Sequence, residues 1–343
     1  MTSPLVSVCI ANFNGEGVLP DCIDSVLEQQ GDIAVEILVH DDASTDSSIE
    51  LLASRYPRDR HPEIRLLESD QNVGFCVSNN RLVENARGKY ILLLNNDAAL
   101  APDALSTLLR AAEQQSPPGI LTLPQIDWES GQLVDRGCLL DPFYNPIPNL
   151  DPRRKDVAYV IGACLWAPKR LWNEVGGFPE WFESIGEDLQ LCCRARLQGN
   201  TVQVTTSSHY RHHQGISFGG NKIRESRLST TFRRRRLSER NKTYALILCT
   251  PLSRIWFILP THLTLLAAEG AALTLVKRDL TVWKEIYGNV FSSVYRNHCR
   301  LMEERKHIQQ ARTATATEYA RSFLWLPRKL QMLFRHGLPR LTR

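Results

Sequence analysis

No Cys-x-x-Cys pair occurs in the chain, and its nine cysteines, at 9, 22, 76, 138, 164, 192, 193, 249 and 299, are odd in number and scattered. The pattern argues against a disulfide framework and for a reducing compartment, with most of these thiols acting as small buried apolar groups. Also missing is the run of about 20 apolar residues that crosses a bilayer: the longest uncharged stretch of the apolar carboxyl-terminal segment, 255–268, has 14. Met1-Thr-Ser-Pro-Leu-Val6 offers no basic segment followed by an apolar one, so no secretory leader is expected, and the catalytic part is expected in the cytosol. No Gly-x-Gly-x-x-Gly follows the first strand-like run, where Asn12-Phe-Asn-Gly15 stands instead, which argues against a nicotinamide-dependent oxidoreductase. The same loop lacks the glycine-rich, basic sequence that handling a triphosphate demands, which argues against a sugar-nucleotide pyrophosphorylase. Internal repeats and low-complexity tracts are absent as well.

What is present is a chain of 343 residues, 43% apolar, enough for a substantial core and for roughly two units of ordinary domain size. The formal charge of +4 conceals a division: residues 1–220 carry 17 Lys and Arg against 29 Asp and Glu, a balance of −12, and residues 221–343 carry 24 against 8, a balance of +16. A basic tail on an acidic globular part points to an anionic partner surface.

Strand-like and helix-like runs alternate through the first 110 residues. Residues 6–11, 35–39, 64–67 and 90–94 read as buried strands, 18–29 and 77–86 have helical spacing, and Ser44-Thr45-Asp46 is expected to cap a helix through Ile49, Leu51 and Leu52. This cadence predicts a parallel sheet with right-handed crossovers. A helix over 102–114 is stopped by Pro117-Pro118-Gly119, and residues 120–160, rich in proline and aspartate, read as an irregular excursion outside the wound sheet. Strands at 157–166 and 202–206, a short helix at 168–175, a turn at Gly176-Gly-Phe-Pro179 and a helix at 187–198 complete the pattern. In the tail, the apolar segment 244–276 is interrupted by Pro251, Arg254, Pro260 and Glu269. It reads as interfacial or re-entrant, anchored by Arg233 to Arg236, Lys277-Arg278 and Trp256, with helices packed on the globular part as the alternative. Stacking aromatics are not interleaved with its basic residues, so no nucleic-acid partner is expected.

Three acidic clusters sit at the ends of apolar runs, and a histidine pair follows them. Asp41-Asp42 closes the second strand, where carboxylates can accept hydrogen bonds from a base or ribose, and Asn95-Asn96-Asp97 closes the fourth. A hard divalent cation needs one or two carboxylates plus phosphate oxygens from its ligand, and Asp97 at the sheet edge offers the first. Glu187-Asp188 opens a helix, whose dipole favours anions and would keep Asp188 ionised and able to take a proton from an attacking hydroxyl. His212 and His213 follow the last expected strand, on a loop where an imidazole could complete a metal shell.

In order along the chain, 6–15, Asp41-Asp-Ala-Ser-Thr-Asp46, Asn72-Val-Gly-Phe75 with Asn79-Asn80, Leu93-Leu-Asn-Asn-Asp97, Gly176-Gly-Phe178, Glu187-Asp188 and 212–217 resemble the family 2 glycosyltransferases of the GT-A fold. More narrowly they are similar to the rhamnosyltransferase-like branch of bacterial polysaccharide synthesis. The resemblance implies an α/β fold with a mostly parallel wound sheet, a catalytic domain over 1–232 and a basic helical, membrane-associating tail over 233–343. It implies that Asn12, Asn14, Asp41, Asn80 and Asn96 line the nucleotide pocket, and that Asp97 holds Mg²⁺ or Mn²⁺ on the diphosphate with His212 approaching the metal. Asp188 would be the general base with Glu187 beside it, and Gly162 and Trp181 would border the acceptor. The implied activity is metal-dependent, inverting transfer of a hexose-class sugar from a nucleotide-sugar donor to a glycan or lipid-linked acceptor, with dTDP-rhamnose the leading donor and UDP-hexoses next. The enzyme would work peripherally on the cytoplasmic side of the inner or plasma membrane, against an anionic membrane surface. Two departures from the family pattern stand out. Asn96 occupies the middle of the metal motif, where the branch has proline, leaving metal binding to rest on Asp97; Gln190 replaces a frequent aspartate and removes one carboxylate near the acceptor. A non-catalytic nucleotide-sugar-binding scaffold is the reading that Asn95, where the family's metal motif usually begins with aspartate, and Gln190 would favour.

Overall fold

The computed structural model of the chain describes residues 3–117, 119–213, 220–224, 227–338 and 340–342. Among the segments singled out above, Met1, Thr2, Pro118 and residues 214–217 lie outside the described residues. Two units interleave along the chain, one built from Met1–Cys138, Pro148–Ser184 and Asn200–Gln214, the other from Leu139–Ile147, Ile185–Gly199 and Gly215–Arg343.

Strands of the first unit are β1 (Val6–Asn12), β2 (Val35–Asp41), β3 (Ile64–Glu68), β4 (Tyr90–Leu94), β5 (Ala98–Leu100), β6 (Gly119–Thr122), β7 (Gln125–Asp127), β8 (Leu133–Asp135), β9 (Cys164–Pro168), β10 (Thr201–Val204) and β11 (Tyr210–His212). Its helices are α1 (Leu19–Leu27), α2 (Ser48–Arg55), α3 (Phe75–Asn85), α4 (Ala104–Glu113) and α5 (Lys169–Val175). Seven strands form the main sheet in the order β10-β6-β9-β4-β1-β2-β3, and β5-β11-β7-β8 form a second. Strands β4, β1, β2 and β3 are parallel, β10 is parallel to β6, and β9 runs antiparallel to both β4 and β6. Every side chain of β4 is buried, which is why the run Tyr90–Leu94 shows no polar alternation: a parallel strand covered on both faces is apolar throughout. Leu92 and Leu94 pack in one core with Val8, Ile10, Leu19, Ile23 and Leu105, and Trp166 of β9 stacks on Tyr90 at 5.0 Å. The order of the parallel strands reverses between β1 and β4, so the crevice of such a sheet opens beyond Asn12 and Leu94.

Three expectations are corrected. Residues 119–122 are not an excursion: β6 is an interior member of the main sheet, held between β9 and β10. The expected strand over 157–166 starts only at Cys164, because Ile161 accepts the Cys164 N–H in a turn that interrupts it. His212 lies on strand β11, paired with Ala98 and Asp127, and not on a loop.

The second unit contains α6 (Glu187–Leu197), α7 (Phe232–Cys249), α8 (Leu252–Lys277), α9 (Gly288–Arg296), α10 (His298–Gln310), α11 (Ala316–Tyr319), α12 (Arg328–His336) and a sheet of β12 (Gly220–Arg224), β13 (Arg227–Thr231) and β14 (Arg340–Thr342). The apolar stretch 244–276 divides at Thr250-Pro251. Its first part completes α7, a central helix buried from Asn241 to Cys249, and its second is α8, which runs on through Pro260. Leu266, Leu273, Ile286, Tyr287 and Val290 form the core beneath α8. Arg235 turns inward to Glu239 at 3.2 Å and Glu269 at 2.5 Å. Eight of the nine thiols are buried and only Cys299 is exposed, so the expectation of buried apolar cysteines holds for eight.

Candidate active site

The ends of β1, β2 and β4 are stitched together by one polar cluster. Asn12 donates from Nδ2 to Asp41 Oδ1 at 2.9 Å and to Ser44 Oγ at 3.3 Å, and its Oδ1 accepts from Asn96 Nδ2 at 2.8 Å. Asp41 also accepts the Ser44 hydroxyl at 2.6 Å and the Ser44 N–H at 2.9 Å. Ser44 Oγ in turn accepts the Asn14 N–H at 2.9 Å, and Asn14 Oδ1 takes the Thr45 N–H at 2.8 Å. Asn14 and Ala43 both sit at left-handed φ, +53° and +59°, which an alanine adopts only when its surroundings impose it. Thus Asn12, Asn14, Asp41 and Asn96 are brought together, with Ser44 as the hub that the sequence reading had assigned to a helix cap. That assignment is corrected: neither Ser44 nor Thr45 caps α2, which begins at Ser48, while Asp46 accepts the Ser48 N–H at 3.1 Å. Asp42 holds a neighbouring loop, accepting the N–H groups of Val73 and Gly74 at 2.7 and 2.9 Å.

Beside this cluster, His212 Nε2 donates to Asp97 Oδ1 at 3.1 Å, and the Asp97 carbonyl accepts the His213 N–H at 3.0 Å. Both side chains are buried, and His212 Nδ1 has no hydrogen-bond partner among the described residues. The pairing of β5 with β11 brings the two residues together across 115 positions of sequence. His213 stacks on Trp128 at 4.0 Å, and burial there lowers its basicity. Burial also pushes the Asp135 carboxyl up to about 6, against the Gly137 N–H and the His212 ring, which draw it down.

A carboxylate oxygen and an imidazole nitrogen converging at 3.1 Å suit a divalent cation that takes its other ligands from phosphate and water. Among the described residues no group of three or more His, Cys, Asp or Glu could hold such an ion unaided.

Asn80 on α3 has its amide engaged elsewhere: Oδ1 accepts the Phe178 N–H at 3.0 Å, and Nδ2 donates to the Phe178 carbonyl at 2.9 Å and to Glu180 at 3.2 Å. It clamps the turn at Gly176 to Pro179. Trp181, just beyond, packs edge-on against Phe182 at 4.9 Å. Gly162 is buried in the turn before β9, next to Ala163, whose carbonyl accepts the Asn95 N–H at 3.1 Å.

Glu187 and Asp188 open α6 in the second unit, and both are buried. The entry is strained, with Ile185 at φ +68° and Gly186 at +91°; a β-branched residue in that region is a true outlier of the kind that collects at functional sites. Asn241 of α7 secures it by donating to the Ile185 carbonyl at 2.8 Å. Glu187 Oε2 and Gln190 Oε1 have no hydrogen-bond partner among the described residues. Burial, with the Asp188 charge adding to it, raises the Glu187 carboxyl well above the usual range, against its own backbone N–H and the Arg234 charge, which draw it down.

The chain is similar to several known proteins. Over 216 residues the chain is 26% identical to the N-acetylglucosaminyl-diphospho-decaprenol L-rhamnosyltransferase of Mycobacterium tuberculosis, covering 54% of this chain and 68% of that one. Over 181 residues it is 28% identical to the chondroitin synthase of Pasteurella multocida, covering 53% of this chain but only 18% of that protein. Against several other bacterial relatives the chain likewise spans about a third of their length or less. Among solved structures, a mannosyltransferase from Pyrobaculum calidifontis, in complex with GDP-Man and Mn²⁺, superimposes with a TM-score of 0.50 at 17% identity, covering 87% of this chain and 88% of that one, so the fold is of the GT-A type. The family described as Glycosyl transferase family 2 matches residues 7–145, and that described as Glycosyl transferase family group 2 matches residues 90–277, more than half of the chain. With Asp41 and Asp97 at the strand ends beside the reversal point of a wound sheet, both within the first match and Asp97 within the second as well, the chain belongs to the family 2 glycosyltransferases.

Proposed function

We propose that the protein moves a sugar from a nucleotide diphosphate, with inversion, to a hydroxyl of a glycan or polyprenyl-diphosphate-linked acceptor in the synthesis of cell-surface polysaccharide. The observation that carries this reading is the pair Asp97 and His212, 3.1 Å apart beside the Asn12, Asp41 and Asn96 cluster. In this proposal Asn12, Asn14, Asp41 and Asn96 form the nucleotide side, with Asn80 supporting it through the Phe178 turn. Asp97 and His212 would hold Mg²⁺ or Mn²⁺, which when bound neutralises charge on the departing diphosphate. Asp188 takes the proton of the acceptor hydroxyl, whose oxygen bonds to the anomeric carbon as the bond to the diphosphate breaks. Glu187, whose carboxyl is raised by burial, stands beside Asp188 on the acceptor side, which Gly162 and Trp181 border.

For the donor, dTDP-rhamnose is favoured by similarity to the mycobacterial rhamnosyltransferase; a UDP-hexose is the second reading, supported by similarity to the chondroitin synthase. We place the enzyme peripherally on the cytoplasmic face of the membrane. Incubating the protein with Mn²⁺ and a panel of nucleotide sugars, and following sugar transfer or hydrolysis, tests the reading directly. Turnover of one donor is expected to fall by a factor of about 10² to 10⁴ in Asp188→Asn, the usual share of a general base; unchanged turnover would remove Asp188 from that role.

A further inference from the structure

Helix α8 inverts the pattern of a surface helix in water. Its inward stripe is narrow, made of Ile255, His262, Leu266, Gly270 and Leu273. Its outward positions are mostly apolar, among them Leu265, Leu275 and Val276, with Trp256 exposed to 74% and Phe257 to 78%, and the polar ones between its ends, Ser253, Thr261 and Thr264, are uncharged. By length and composition α8 is the one helix among the described residues that could cross a membrane. An outer face of this kind calls for an apolar partner.

The surface continues beyond α8. Trp325, exposed to 73%, lies under the Arg254 guanidinium at 6.0 Å. Helix α12 buries none of its residues and exposes Leu330, Leu333 and, to 87%, Phe334. Lys329 ties α12 to α8 through Glu269. Basic residues border the apolar area: Lys277 and Arg278 end α8, and Arg335 and His336 end α12.

Charge decides how a bilayer could meet this surface. Glu239 pairs with Lys242 at 2.6 Å, Lys329 at 2.8 Å and Arg235 at 3.2 Å, and Arg235 and Lys329 also pair with Glu269 on α8 itself. Glu239 and Lys242 are buried in the protein and the other three partly so. Were α8 to cross the bilayer, this group of charges would be carried to hydrocarbon depth, where ionised side chains are disfavoured. A helix lying flat keeps the charged group on its protein side and lets Trp256, Phe257 and Phe334 enter the boundary between headgroups and acyl chains. We propose that α8, Trp325 and α12 form a docking surface for one leaflet of an anionic bilayer, with α8 in the plane of the interface and not across it. The inference deepens the membrane-associated reading of this unit and rests on that reading alone, not on the catalytic assignments.

Flotation of the full-length protein with vesicles of phosphatidylcholine, alone or mixed with phosphatidylglycerol, tests it. The wild type is expected to float with the mixed vesicles, to float less as salt is raised, and to be released by alkaline carbonate. The double substitution Trp256→Glu with Phe257→Glu, and separately Phe334→Glu, are expected to keep the wild-type melting temperature and nucleotide binding, because these side chains are exposed. The double variant should partition more weakly by about two orders of magnitude, the effect of withdrawing two large apolar side chains from lipid. If the wild type floats with neither vesicle, the membrane reading itself fails. If it floats and the variants float equally, this surface is overturned. Retention after carbonate overturns the in-plane orientation, and concentration-dependent self-association lost in the variants assigns the surface to a second copy of the chain instead.

Discussion

A methyl group at position 15 has no room. A Cβ there would stand 2.1 Å from Asn12 Oδ1 and 2.4 Å from Asn96 Nδ2, the two atoms of the amide link between the ends of β1 and β4. Gly15→Ala is therefore expected to break that link, lowering stability by about 1 to 3 kcal/mol and weakening nucleotide binding; denaturant titration and calorimetry would register both, and a variant that binds like the wild type would count against the cluster as the nucleotide side. Asp135 gives a second residue-level prediction. Unfolded, it titrates at 3.8; folded, at about 6. Between those values the folded state binds more protons than the unfolded, so the contribution is fully present below 3.8 and is lost as pH rises through about 6. Asp135→Asn should flatten the melting-temperature profile across that interval, by a difference on the order of 3 kcal/mol between its ends; parallel profiles would refute the assignment. Neither position announces itself in the sequence. Gly15 looks like any turn glycine until Asn96 arrives from 81 residues away, and Asp135 looks like a surface aspartate in a stretch rich in them.

At the scale of elements, the charged group of the second unit holds three helices to one another. Arg235, Glu239 and Lys242 come from α7, Glu269 from α8 and Lys329 from α12. Glu239→Gln leaves three cations facing one remaining carboxylate, and a cost of about 3 to 5 kcal/mol is expected from breaking such buried pairs. Thermal unfolding would show it, and a shift below a degree would mean that solvent already screens the group. Gly270→Ala is the steric counterpart: its Cβ would stand 2.6 Å from Tyr287 Cγ, pushing α8 off the core beneath it. The elements that one stripe or one apolar run defines were legible from spacing, since α1 buries Leu19, Cys22, Ile23 and Val26 and β4 buries everything. Those defined by distant partners were not. Strand β6 has four residues after a proline pair and gains its place only by pairing with β9 and β10, and the inward turn of Arg235 needs Glu269, 34 positions later. The candidate site divides the same way. Strands deliver Asp41 and Asp97 visibly, because a carboxylate ending an apolar run stands at a sheet edge, whereas Ser44 is a hub only because the β1 and β2 loops face each other.

For the whole molecule, ligand and metal act through mass action on the folded state. A nucleoside diphosphate with Mn²⁺ is expected to raise the melting temperature, the gain reaching about 2.7 kcal/mol at a hundredfold excess over Kd. EDTA should remove most of that gain and the turnover with it, and Asp97→Asn should be insensitive to both additions; an EDTA-resistant enzyme would detach Asp97 from metal binding. The uneven charge along the chain, −12 then +16, leaves the acidic portion to repel anionic lipid while the basic portion attracts it.

The bond from Asn241 to the Ile185 carbonyl has a practical outcome. Helix α7 is the bench on which the strained approach to Glu187 and Asp188 rests, so a fragment cut after Phe232 would keep its wound sheet while this carboxylate pair lost its seat. Loss of turnover in such a fragment would therefore say nothing about lipid, because the shortened chain would lack the support of its carboxylate pair as well as the apolar helices.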